Sequence, residues 1–152
     1  MKLIRTMIAV AAIAAMFVLG IKHIEKVNDS VVNIHDPILT SHVNQWKSKM
    51  TKNNIEWKSG LNRIESIGFG KSEGHAGLSY NNKIILDPIL KEDIFKLKFT
   101  LWHELGHAVY KLPHGDGIMI ETIPDTETIK LNWERLQDDY YVKCKKFEFN
   151  VY

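Results

Sequence analysis

Three residues in the segment "WHELGHAVYKLPHGDGIM", residues 102–119, have the types and spacing of a hydrolytic metal site. They are His103, Glu104 and His107, in the order His-Glu-x-x-His. On a helix the two histidines lie one turn apart and about 40° apart around the axis, so both imidazoles can face one ion. Zinc accepts such nitrogen ligands at about 2.0–2.1 Å and lowers the pKa of a bound water to about 7. Glu104 lies about 100° round the helix from His103, too far to be a ligand on the same side. It is placed instead to hydrogen-bond such a water, take its proton as a general base and deliver it to a leaving amine.

A further histidine, His114, follows His107 by seven residues. In an unbroken helix it would sit roughly 16 Å along the axis from His103 and 10 Å from His107, beyond the reach of one ion. Pro113 supplies a break, because it disfavours helix at Leu112, lacks an N–H and clashes with a continuing helix. Gly115 and Gly117 allow sharp turns after it. His114 is therefore the expected third ligand, its nitrogen within about 4 Å of the other two. The alternatives are an exposed loop histidine, or a ligand carboxylate from Glu121, Glu127 or Glu134, of which Glu134 lies in an expected helix. His35, His42 and His75 are not expected to ligate, and His42 falls on an apolar helix face. Gly106 costs about 1 kcal/mol against alanine inside a helix. It marks either close packing against another element or room beside the metal.

The spacing of apolar residues predicts the elements that carry these groups. Asp36-Pro37 reads as an N-cap with proline at the first helical position, opening a helix that runs to about residue 53. Residues 76–80 and 83–87 read as a hairpin, because Asn81-Asn82 can both take the left-handed conformation a tight turn needs. A helix over residues 91–112 has apolar residues round most of its circumference and is expected to be central and buried. A last helix covers residues 127–146. Helix, strands, central helix and helix make an α+β domain. Its expected bounds are residues 27–152, with 27–35 a polar linker.

The chain has 152 residues and a formal net charge of +2, which does not suggest nucleic-acid binding. One cysteine, Cys144, excludes an intrachain disulfide, so a bound metal could act as the staple. Residues 1–26 have Lys2 and Arg5 before an uncharged apolar run over residues 7–21. That is the layout of a signal peptide or signal anchor. It predicts an exported domain, secreted or periplasmic if the segment is cleaved and membrane-anchored if it is not. Lys143, Lys145 and Lys146 read as a solvated face.

The HELGH segment, the downstream histidine and the "GIM" of residues 117–119 together resemble the zincin metallopeptidases. The resemblance is to a metzincin-like branch, and within it to small zincin-like peptidases of bacteria and their phages. These carry HELGH, a histidine seven residues on and a short methionine-containing turn. The resemblance implies a zincin-like fold, a small mixed sheet with a central active-site helix and flanking helices. It implies zinc on His103, His107 and His114, with Glu104 as the catalytic base. It implies that strand 83–87 is the edge strand pairing with an extended peptide or protein substrate, and that Met119 packs beneath the metal. Tyr110, Tyr140 and Tyr141 are candidate oxyanion stabilisers. The expected activity is zinc-dependent amide-bond hydrolysis. The alternatives are a membrane-tethered, zinc-binding interaction module without activity, or a peptidoglycan-cleaving metallohydrolase.

Overall fold

The computed structural model describes residues 32–72 and 74–148. The expected signal or anchor segment, residues 1–26, lies outside the described residues. Among the described residues no helix is long and apolar enough to cross a membrane. The elements in chain order are β1 (Asn33–Ile34), α1 (Pro37–Lys52), α2 (Lys58–Leu61), β2 (Ser66–Phe69), β3 (Gly77–Tyr80) and β4 (Lys83–Leu86). A 3-10 turn over Pro88–Glu92 leads into α3 (Ile94–Tyr110), and a second over Gly117–Met119 precedes α4 (Thr126–Glu148). This is the expected α+β arrangement, a four-stranded mixed sheet with helices.

Asp36 caps α1 as its sequence suggests, its carboxylate accepting from the Ile38 N–H at 3.0 Å. The hairpin also forms as read. Asn81 and Asn82 have φ of 47° and 59°, and Tyr80 pairs with Lys83 across the turn. Two left-handed residues match the right-handed twist of the flanking strands, and asparagine tolerates that conformation. The central helix begins later than expected, at Ile94. Asp93 caps it, accepting from the N–H groups of Phe95 and Lys96 at 3.1 Å each.

The sheet order is β1-β2-β4-β3, with β1, β2 and β4 parallel and β3 antiparallel to β4. The expected edge strand is therefore corrected. Lys83–Leu86 is internal, hydrogen-bonded to both β2 and β3, and the edge strand next to it is Gly77–Tyr80, with Asn33–Ile34 at the other edge. Burial agrees, since Ile84 and Leu86 are buried whereas Tyr80 is exposed. Residues 33–34, read as linker, instead form β1 by parallel pairing with Ser66 and Ile67.

Helix α3 lies between the sheet and α4, and touches β3, β4 and α2 as well. Its burial is as expected from its apolar circumference: Leu97, Leu101, Trp102 and Leu105 are fully covered. Against α4, the Trp102 ring meets Trp133 and Tyr140 at centroid distances of 5.4 Å each. Against α1, Trp46 meets Tyr110 at 6.3 Å. Such aromatic pairs contribute about 0.5–1.5 kcal/mol beyond the area they bury, so α3 is held on both sides near the residues that matter for chemistry.

Candidate metal centre

The backbone around the histidines fixes which ring nitrogen each one offers. His103 Nδ1 lies 2.7 Å from the Ile118 carbonyl, and His107 Nδ1 lies 2.6 Å from the Leu112 carbonyl. A carbonyl only accepts, so in each ring Nδ1 carries the proton and Nε2 presents a lone pair. The two Nε2 atoms stand 3.0 Å apart. Two lone pairs at that distance repel each other unless a cation or a proton lies between them. Burial lowers the pKa of His103 to about 4, despite the opposing bond to Ile118, and burial lowers that of His107 as well. Both imidazoles are neutral at physiological pH, the state that ligates a metal.

His114 is brought to the same place. One ring nitrogen from each of His103, His107 and His114 lies within 4.8 Å of the others, close enough to hold a metal ion. A tetrahedral ion with bonds of about 2.0–2.1 Å spaces its ligand atoms by about 3.3 Å, near the 3.0 Å between the His103 and His107 Nε2 atoms, while the full set is held within 4.8 Å rather than the expected 4 Å. His103 is buried, His107 half-buried and His114 exposed, so His114 is the member with room to adjust. Its Nδ1 faces the Glu121 carboxylate at 3.4 Å. Glu121 is thus the acidic neighbour of His114, itself exposed and at a longer distance than the carbonyls beside the other two rings. Glu127 and Glu134 are exposed and not part of the set.

The helix stops before the proline. Lys111 takes the left-handed conformation, φ 58° and ψ 30°, and Leu112 N–H reaches back to the Gly106 carbonyl at 3.2 Å. Pro113 then keeps the chain from resuming the helix. Of the two glycines after His114, only Gly117 has positive φ, at 63°. The returning loop is pinned at its base, with Gly115 N–H donating to the Met119 carbonyl at 2.9 Å. From α4, Lys143 donates to the Asp116 carbonyl at 2.7 Å and pairs with the Asp116 carboxylate. Lys143 is therefore not simply part of a solvated face. Lys143→Met is expected to weaken metal binding by about 10-fold without changing the ligand set, the lower end of the effect typical of outer partners. Competition against a chromogenic chelator checks it, and unchanged affinity would show the clamp to be irrelevant to His114.

Gly106 settles as a packing residue. A Cβ there would lie 2.6 Å from the Met119 sulfur and 3.2 Å from the Tyr140 ring. Met119 is buried and lies against the histidine helix at Gly106.

Glu104 is nearly buried, 5 % exposed, beside the edge strand. A Cβ on Gly77 would meet its Oε1 at 2.8 Å and Thr100 Cγ2 at 2.7 Å, so only glycine lets β3 approach α3 this closely. Burial raises the Glu104 pKa to about 7, against hydrogen bonds from the Ser79 hydroxyl and backbone N–H that favour the carboxylate. Gly77 and Ser79 were not picked out from sequence. The glycine at the start of "GLSY" is a signal for close backbone approach.

The three histidines and Glu104 open on one cleft of about 1100 Å³, bounded by β3, α3 and residues 120–123. None of the three tyrosines weighed as oxyanion stabilisers lines it. Tyr110 donates its hydroxyl to the Glu56 carbonyl at 2.9 Å, and Tyr140 and Tyr141 pack on Trp102. The tyrosine that does line it is Tyr80, at the end of the edge strand. His75 lines the cleft outside the histidine set, and His42 is buried on α1. Searches against family models, curated proteins and solved structures gave no match to this chain.

Proposed function

We propose that this chain is a zinc-dependent peptidase of zincin type, with zinc held by His103, His107 and His114 and Glu104 as the general base. The observation that carries the reading is the facing pair of Nε2 lone pairs, with His114 converging on them and a buried carboxyl next in sequence to one of them. Three histidines, with no fourth protein ligand beside them among the described residues, are the donor set of catalytic rather than structural zinc, which leaves one position open. A zinc ion held there would supply Lewis acidity and acidify a water to a pKa of about 7. Glu104 accepts the proton of the attacking water and passes it to the departing amine nitrogen.

The cleft also fits an extended chain. Its wall is the edge strand Gly77–Tyr80, whose outer edge can add a peptide by main-chain hydrogen bonds. The substrate class is accordingly a peptide or an unfolded protein segment. The basic and apolar N-terminal residues support an exported setting for it.

The test is cleavage of an unfolded protein such as casein, read as newly released α-amino groups. Cleavage is expected to stop on chelation and return with zinc. Cleavage indifferent to chelation would remove the zinc mechanism, and no cleavage by the zinc-loaded protein would leave a metal-binding interaction module.

A further inference from the structure

A second groove, of about 570 Å³, lies on another side of α3, between that helix and residues of α1 and α4. Its lining includes two lysines, Lys49 from α1 and Lys98 from α3, and no carboxylate. Among the described residues neither lysine forms an ion pair. Lys98 is half-buried and lies 4.6 Å above the Trp133 ring. Burial lowers the Lys98 pKa, and the charge of Lys49 lowers it further.

The floor adds two donors. Trp102 is fully buried and Gln137 is 6 % exposed, and both line the groove. The Trp102 indole N–H and the Gln137 amide NH2 have no hydrogen-bond partner in the protein. An indole nitrogen can only donate, and a buried donor left unpaired costs about 1–3 kcal/mol. At the rim, Ser48 adds a hydroxyl. A water molecule could satisfy the indole, but it would leave two like charges without a counter-charge. One oxyanion answers both needs.

We infer that this groove binds a small oxyanion, a phosphate or a carboxylate, between Lys49, Lys98, Trp102 and Gln137. The site is separate from the histidine cleft and shares no lining residue with it.

The experiment is a titration of the full chain with inorganic phosphate and, separately, with acetate, at constant ionic strength with chloride as reference. The readout is the indole N–H resonances of the four tryptophans, with Trp102 assigned by Trp102→Phe. A saturable shift of the Trp102 resonance is expected. Response to phosphate identifies a phosphoryl ligand, and response to acetate alone identifies a carboxylate. Lys98→Met is expected to weaken binding at least about 10-fold, as for a lost hydrogen bond to a charged group. Lys49→Met, at an exposed position, is expected to weaken it about 2- to 5-fold. The inference is overturned if neither anion gives a saturable shift, if chloride gives the same shift, or if Lys49→Met and Lys98→Met both bind as wild type. Lys49→Met keeps the test decisive should Lys98→Met not fold.

Discussion

Glu104→Gln is expected to lower peptide hydrolysis by about 100- to 10,000-fold, the range for losing a positioned general base, while zinc stays bound. Glutamine keeps the shape of the side chain beside Gly77 and can still hydrogen-bond Ser79, but cannot take a proton. The variant has a second signature in the metal-free protein. The Glu104 pKa rises from 4.5 to about 7 on folding, so the folded state holds this proton more tightly than the unfolded chain. Its contribution to stability is complete below pH 4.5 and is lost as pH rises through 7. The buried negative charge thus costs the wild type up to about 3 kcal/mol above neutrality, and the neutral amide removes that cost. Metal-free Glu104→Gln should melt several degrees above metal-free wild type at pH 8 and close to it at pH 4. His103 works in the other direction. Its folded pKa of about 4 lies below the ordinary 6.5, so its contribution is lost as pH falls from 6.5 toward 4. It is present in both proteins and cancels in the comparison. An active variant would refute the base, and equal melting at pH 8 would refute the buried charge.

His107→Ala is expected to weaken zinc binding by more than about 100-fold, above the 10- to 100-fold typical of outer partners. The reason lies in the geometry of the pair. The His103 and His107 Nε2 atoms are 3.0 Å apart, and each ring is locked by a backbone carbonyl. Removing one leaves His103 and the exposed His114, too few to close a site. His75→Gln, inside the cleft but outside the set, should bind zinc as the wild type does. Equilibrium dialysis against a competing chelator reads both. Similar losses in the two variants would point to diffuse histidine binding rather than a centre.

The site was more legible in the sequence than the frame that builds its walls. Four-residue spacing on a helix is local geometry, so His103, Glu104 and His107 could be placed before any tertiary contact was known. The hairpin was legible for the same reason, since Asn81 and Asn82 carry their left-handed preference with them. The return of His114 could be argued from Pro113, yet the stop itself is Lys111 in a left-handed conformation, which no property of lysine announces. Strand order was misread because it depends on pairing between distant segments. The apolar run Ile84-Ile85-Leu86 did hint at an internal strand, and the more polar "GLSY" at an edge. A two-residue strand such as β1 has no periodicity to read. Glu121 was weighed as a ligand and instead lies outside the histidine set, beside His114 Nδ1. Lys143 reaches Asp116 across 27 residues of sequence, a pairing that only the fold reveals.

The claim on which the account rests is that three histidines hold one zinc and leave a position open. Zinc K-edge X-ray absorption on the zinc-loaded protein, alongside His114→Ala, reads that ligand set directly. Three imidazoles with nitrogen at about 2.0–2.1 Å and one light oxygen ligand are predicted, with two imidazoles in the variant. A first shell containing sulfur, or an imidazole number unchanged by His114→Ala, would contradict it.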